Sequence, residues 1–154
     1  MDKTKTIHYQ EYTLAELKGD DLKLVKAAIE ATNNAYAPYS NFHVGAAVIL
    51  DSGETVTGSN QENIAYPSGL CAERTVLFSA GAQHPTNKIL ALAVVGRNPE
   101  GGLTAATPCG ACRQVMAEVE SRQGKKLRIL CYISTEKILV FEGVENLLPF
   151  IFTM

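Results

Sequence analysis

"KILALAVVG" (residues 88–96), "CGACRQVMAEVESRQG" (109–124), "LRILCYIS" (127–134) and "KILVFEGV" (137–144) together decide the fold of this 154-residue chain. The first run is continuously apolar, the pattern of a strand buried on both faces. The second is helical in character and closes on Gly124, a residue suited to the left-handed turn that ends a helix. The other two read as strands. Strand, helix and strand in series make a parallel crossover, since parallel neighbours need a connection of a dozen residues or more. Only "STE" (134–136) links the last two strands, a length that permits a hairpin and not a parallel pair.

Upstream, "CAERTVLFSAG" (71–81) reads as a short amphipathic helix stopped at Gly81. "FHVGAAVIL" (42–50) and "ETVTGSN" (54–60) flank "DSG" and form a β-hairpin. "DDLKLVKAAIEATNNAY" (20–36) places Leu22, Val25, Ala28, Ile29 and Thr32 at helical spacing, with Asp20 and Asp21 at its start. "APYS" (37–40) breaks that helix, and "ENLLPFIF" (145–152) reads as a last short helix packing apolar residues. Residues 1–20 are an N-terminal arm, with "TIHYQEY" (6–12) as an edge-strand candidate, and 21–154 form one domain. The order α-β-β-α-β-α-β-β-α predicts an α/β fold in three layers, α/β/α, around a five-stranded mixed sheet with helices on both faces.

Composition narrows the function classes. Hydrophobic residues make up 46% of the chain and charged residues 19%, the balance of a soluble globular domain. The formal net charge is −2 without a basic run, which argues against a polyanion partner. No apolar run approaches the length of a membrane helix. "MDKTKTIHYQEY" (1–12) lacks an apolar signal-peptide core, so the expected location is cytoplasmic. In that reducing setting, a Cys-x-x-Cys pair with a distant third thiol points to metal rather than disulfides.

Cys109 and Cys112 stand three apart at one helix start and Cys71 opens another. Helix N-termini favour thiolates, and three thiolates suit Zn²⁺. Three protein ligands leave one position for water, the catalytic pattern; structural zinc sites are closed by a fourth residue. Cys131 lies mid-strand among apolar residues and reads as an inert buried thiol. His8, His43 and His84 lack ligand spacing. Glu73, two residues after Cys71, is placed to take a proton from the metal's water and pass it on. Arg74 can donate to a thiolate and offset the negative charge of the ligand set, with Arg113 a weaker candidate for that role.

Cys-Ala-Glu-Arg (71–74) followed by Pro-Cys-Gly-Ala-Cys-Arg-Gln (108–114) resembles the small, three-cysteine cytidine deaminases, a zinc enzyme class with a known mechanism. "AYAPYSNFHVGAAV" (35–48), "GSNQENIAYPSGLCAERT" (58–75) and "LLPFIF" (147–152) resemble family segments in the same order, from about Asp21 onward. The resemblance implies one Zn²⁺ per chain on Cys71, Cys109 and Cys112, with Glu73 as proton shuttle. It implies Asn60 and Glu62 on the ribose 3′-hydroxyl, Phe42 in the pyrimidine pocket, and Ala72 among the substrate-binding residues. It also implies a homotetramer in which Tyr66 and Phe152 reach an inter-subunit pocket. The implied reaction is hydrolytic deamination of cytidine and deoxycytidine in pyrimidine salvage.

Three departures stand out. Gln61 occupies an apolar family position, the chain stops at Met154 soon after Phe152, and the first twenty residues have no family counterpart. A blasticidin-type aminonucleoside deaminase is the runner-up; Arg74 and "NQEN" (60–63) favour cytidine. A non-catalytic zinc-binding protein and a thiol redox protein built on Cys109 and Cys112 are the competing classes.

Overall fold

The computed structural model describes residues 1–153. Its elements in chain order are β1 (Gln10–Tyr12), α1 (Gly19–Ala31), β2 (His43–Leu50), β3 (Thr55–Ser59), α2 (Ala72–Gln83), β4 (Ile89–Arg97), β5 (Leu103–Thr104), α3 (Gly110–Gln123), β6 (Arg128–Ser134) and β7 (Lys137–Glu142). They build a mixed sheet in the order β1-β7-β6-β4-β2-β3, with β5 added against β4. β4 and β6 are parallel, joined by the α3 crossover. β6 and β7 are antiparallel, as their short link requires.

The sheet has seven strands, not five. β1 lies antiparallel to β7, with Gln10 opposite Val140. β5 contributes only two pairs, opposite Gly96 and Arg97. β1 falls within the edge-strand candidate at 6–12, while β5, at two residues, carries no alternation from which a strand can be read.

Alternation along the long strands supplies two cores. Ala46, Val48, Leu50, Leu92, Val94 and Ile129 face one way, onto Val76 and Leu77 of α2 and Met116 of α3. Ala47, Ile49, Ala93, Val95 and Leu130 face the other way, onto Leu24, Val25 and Ala28 of α1. Helices therefore cover both faces. At Gly45 an added Cβ would lie 2.0 Å from the Ala28 carbonyl oxygen, so glycine is what lets α1 approach the sheet this closely.

Three helix boundaries differ from expectation. α1 ends at Ala31 and tightens into a 3₁₀ turn, Thr32–Asn34, where the Thr32 hydroxyl donates to the Ile29 carbonyl at 2.7 Å. α2 continues through Gly81 to Gln83, closing with the His84 N–H on the Ala80 carbonyl. Gly81 does not take a positive φ, whereas Gly124 does, at 64°, and ends α3 as expected. The expected last helix is a single 3₁₀ turn, Val144–Asn146. Pro149 lacks an N–H and opposes continuation, and Phe150, Ile151 and Phe152 are exposed. The arm reaches this tail: Lys5 donates to the Pro149 carbonyl and lies 5.2 Å from the Phe150 ring centre. Among the described residues, no helix is long and apolar enough to cross a membrane.

Candidate active site

The starts of α2 and α3 meet at one end of the sheet. Cys71 and Cys109 occupy the N-cap positions of these helices, and neither uses its side chain as a cap. Their carbonyls accept the first helical hydrogen bonds, from Thr75 and Arg113, each at 3.0 Å. Cys112 comes in the first turn of α3. The Sγ atoms of Cys71 and Cys109 are 3.9 Å apart and those of Cys109 and Cys112 3.5 Å. All three lie within 4.8 Å of one another. Three soft donors converging on one point fit Zn²⁺.

The surroundings grade these groups electrically. Hydrogen bonding from Cys112, then from Arg74 and Cys109, lowers the Cys71 thiol to about 5. The same pairing and burial push Cys112 up. Arg74 Nη2 lies 3.7 Å from Cys71 Sγ, while its buried Nε has no hydrogen-bond partner. Glu73 follows in the first turn of α2 and is only 4% exposed. Burial, the largest influence, pushes its carboxyl up to about 7. At neutral pH it therefore exists in both protonation states, as a proton carrier must.

A cavity of about 830 Å³ opens above these groups. Phe42, Asn60, Glu62, Tyr66, Cys71, Glu73, Arg74 and Cys109 all line it. Asn60 is nearly buried: its Oδ1 accepts the Val44 N–H at 2.8 Å and its Nδ2 donates to the Phe42 carbonyl at 2.9 Å. Glu62 accepts the Tyr39 N–H at 2.9 Å and the Ser40 hydroxyl. The Phe42 ring crosses β4 at Gly96, where an added Cβ would lie 2.8 Å from Phe42 Cζ.

The sequence matches the family model of the cytidine and deoxycytidylate deaminase zinc-binding region over residues 18–125. The chain belongs to this family. It is 45% identical over 100 residues to a cytidine deaminase of Halalkalibacterium halodurans, which is 65% of this chain and 72% of that one. A cytidine deaminase of Mycobacterium tuberculosis is 46% identical over 93 residues, 59% of this chain and 65% of the relative, just under two thirds of its length. The solved cytidine deaminase of Burkholderia pseudomallei superposes with a TM-score of 0.72 at 40% identity, covering 84% of this chain and 97% of the other. The solved M. tuberculosis structure gives 0.68 at 35% identity, covering 89% and 100%.

The deaminase-family match contains the three thiols, Glu73, Arg74 and the residues of the cavity wall, while Phe152 lies beyond it. Phe152 is 76% exposed and is held by its backbone to the side chain of Gln114. Tyr66 is exposed at the cavity rim, edge-on to Tyr39 at 6.2 Å. The Ala72 side chain is fully buried in the core and does not line the cavity. Cys131 stands apart from the thiol cluster, buried and pushed up to about 12. Arg113 bonds the carbonyls of Pro108 and Leu147, which leaves Arg74 as the guanidinium on sulfur. Gln61 donates to the Asn34 carbonyl at 3.4 Å and to Ser59 Oγ at 3.2 Å, so a polar bridge fills that family position.

Sequence reasoning missed Tyr39, Ser40 and the wall segment Ala105–Thr107, all of which line the cavity. The signal for the first two was the Ser-Asn turn preceding Phe42, a residue pair that favours local side chain-to-backbone bonds.

Proposed function

We propose that the protein hydrolyses the C4 amine of cytidine and deoxycytidine, consuming water and giving uridine or deoxyuridine and ammonia. The observation that carries this reading is a buried carboxyl near neutrality beside three converging thiols, with Glu73, Cys71 and Cys109 lining a cavity roomy enough for a nucleoside. Cys71, Cys109 and Cys112 would hold one Zn²⁺ per chain. Bound there, the ion supplies Lewis acidity and lowers the pKa of water toward neutrality.

The chain's own residues do the rest. Glu73 accepts a proton from the attacking water and delivers it to N3 of the base; a second transfer through the same carboxyl reaches the departing amine. Arg74 donates to Cys71 and limits the negative charge of the ligand set. Phe42 packs against the pyrimidine. Asn60 Nδ2 has two hydrogens, one of them committed to Phe42, and the other is available to the ribose. Glu62 has about four acceptor positions. The Tyr39 and Ser40 N–H groups and the Ser40 hydroxyl leave one for a sugar hydroxyl.

A net charge of −2 supports a free nucleoside over a polynucleotide as substrate. Residues 1–20 form the arm and 21–154 the catalytic domain. The exposed Tyr66 and Phe152 support assembly as a homotetramer. Cytoplasmic pyrimidine salvage is the setting that suits such an enzyme.

Ultraviolet-monitored deamination of cytidine, with zinc quantified on the same sample, tests the proposal. Turnover with about one zinc per chain is expected. Stoichiometric zinc without turnover of cytidine or deoxycytidine would overturn it and make another aminated nucleoside, blasticidin S first, the next substrate to try.

A further inference from the structure

The loop that leads into Phe42 is tied to Glu62 on the cavity wall through two backbone N–H groups and one hydroxyl. The Tyr39 N–H donates to Glu62 Oε2 at 2.9 Å and the Ser40 N–H reaches the same oxygen at 3.3 Å. The Ser40 hydroxyl donates to the other oxygen, Oε1, and accepts the Phe42 N–H at 3.0 Å. The Phe42 carbonyl is held in turn by Asn60. Asn41 adopts φ 51°, the left-handed conformation that asparagine tolerates, and this turns the chain so that Ser40 meets both partners. Glu62, Ser40, Phe42 and Asn60 thus form a chain of hydrogen bonds along the cavity wall.

We propose that Ser40 is a positioning residue that fixes the Glu62 carboxylate relative to Phe42, coupling recognition of the sugar to seating of the base. This rests on the nucleoside reading above. Without the hydroxyl, the loop N–H groups hold only Oε2 and the carboxylate pivots about that oxygen. The Phe42 N–H loses its acceptor at the same time. A wall residue that must be ordered during binding loses affinity relative to one already in place. The Ser40 hydrogen bond, ahead of the Tyr39 and Ser40 N–H groups and the nearby His43, also holds Glu62 below its ordinary range.

The test compares the zinc-loaded parent with Ser40→Ala and Ser40→Thr on cytidine and on 3′-deoxycytidine, which lacks one sugar hydroxyl. Ser40→Ala is expected to raise KM for cytidine about tenfold with kcat within about twofold. It should narrow the preference for cytidine over 3′-deoxycytidine by a similar factor, and Ser40→Thr should restore both. An alanine variant that keeps the parental preference, or loses both substrates in parallel, overturns the proposal. Titration of the Glu62 carboxyl by ¹³C NMR reads the coupling without turnover: Ser40→Ala should move it upward, and an unchanged value overturns it. Zinc-loaded parent that deaminates neither nucleoside defeats the proposed activity instead, and the titration then decides for or against Ser40 by itself.

Discussion

On the α1 face of the sheet, Leu24, Val25 and Ala28 meet Ala47, Ile49 and Ala93 without a thiol or carboxylate among them. On the other face the same depth of burial encloses Glu73 and Cys112, beside Val76 and Met116. Charge on the α1 side stays at the margin, where Arg128 reaches Asp21 at the start of α1 and Glu142 on β7. One face is therefore built for cohesion. The other accepts an unfavourable carboxyl at the place where a proton must be moved, and the apolar core around it supplies the stability that permits this.

The largest expected effect lies on the reactive face. Glu73→Gln should lower deamination about 10³-fold, the scale of a lost general acid-base, with zinc content unchanged. Parental rates in this variant would remove the distinction between the faces. The opposite face should give the mirror result. Leu24→Ala should destabilise the fold by about 3 kcal/mol in urea denaturation, while kcat/KM of the folded fraction stays at the parental value.

Acid-base linkage sharpens the contrast. The Glu73 carboxyl rises from an ordinary 4.5 to about 7 on folding because it is buried. Its stabilising contribution is fully present below about pH 4.5 and is lost as pH rises through 7. The metal-free parent should thus match Glu73→Gln near pH 4 and fall behind it by up to about 3 kcal/mol above pH 8. Urea titrations at the two pH values measure the gap, and equal stability throughout would mean the carboxyl is not strained by burial. The smallest effect is expected at Arg74. Arg74→Gln should slow turnover about tenfold with zinc retained, as one charge-assisted contact to Cys71 is lost.

Legibility in the sequence followed physical range. β4, α3, β6 and β7 could be read because their periodicity and turn lengths are local properties. Cys71, Cys109, Cys112 and Glu73 could be read because helix starts and ligand spacing are written along the chain. The edge strand expected within 6–12 is present as β1, though trimmed to Gln10–Tyr12, whereas β5 could not be read, since a strand of two residues exists only through its partner. Gly81 misled because a glycine stops a helix only where the backbone needs a positive φ, and here the α2 backbone does not. The exposed tail misled in the opposite sense, as "ENLLPFIF" is apolar enough to read as packed. Ser40 escaped because its significance depends on Glu62, a contact between segments separated along the chain that spacing does not encode.

The pairing of β1 with β7 also has a kinetic side. Gln10 waits for Val140, so this edge closes only when nearly the whole chain is available. Such distant contacts carry loop-closure entropy and form slowly. β4 meets β2 over a much shorter span and can be laid down first. Amide exchange at Glu11 and Tyr12 should accordingly outrun that at Leu92 and Val94. β1 precedes the strand it pairs with by the length of the whole sheet, and it is expected to be placed late and to let go early.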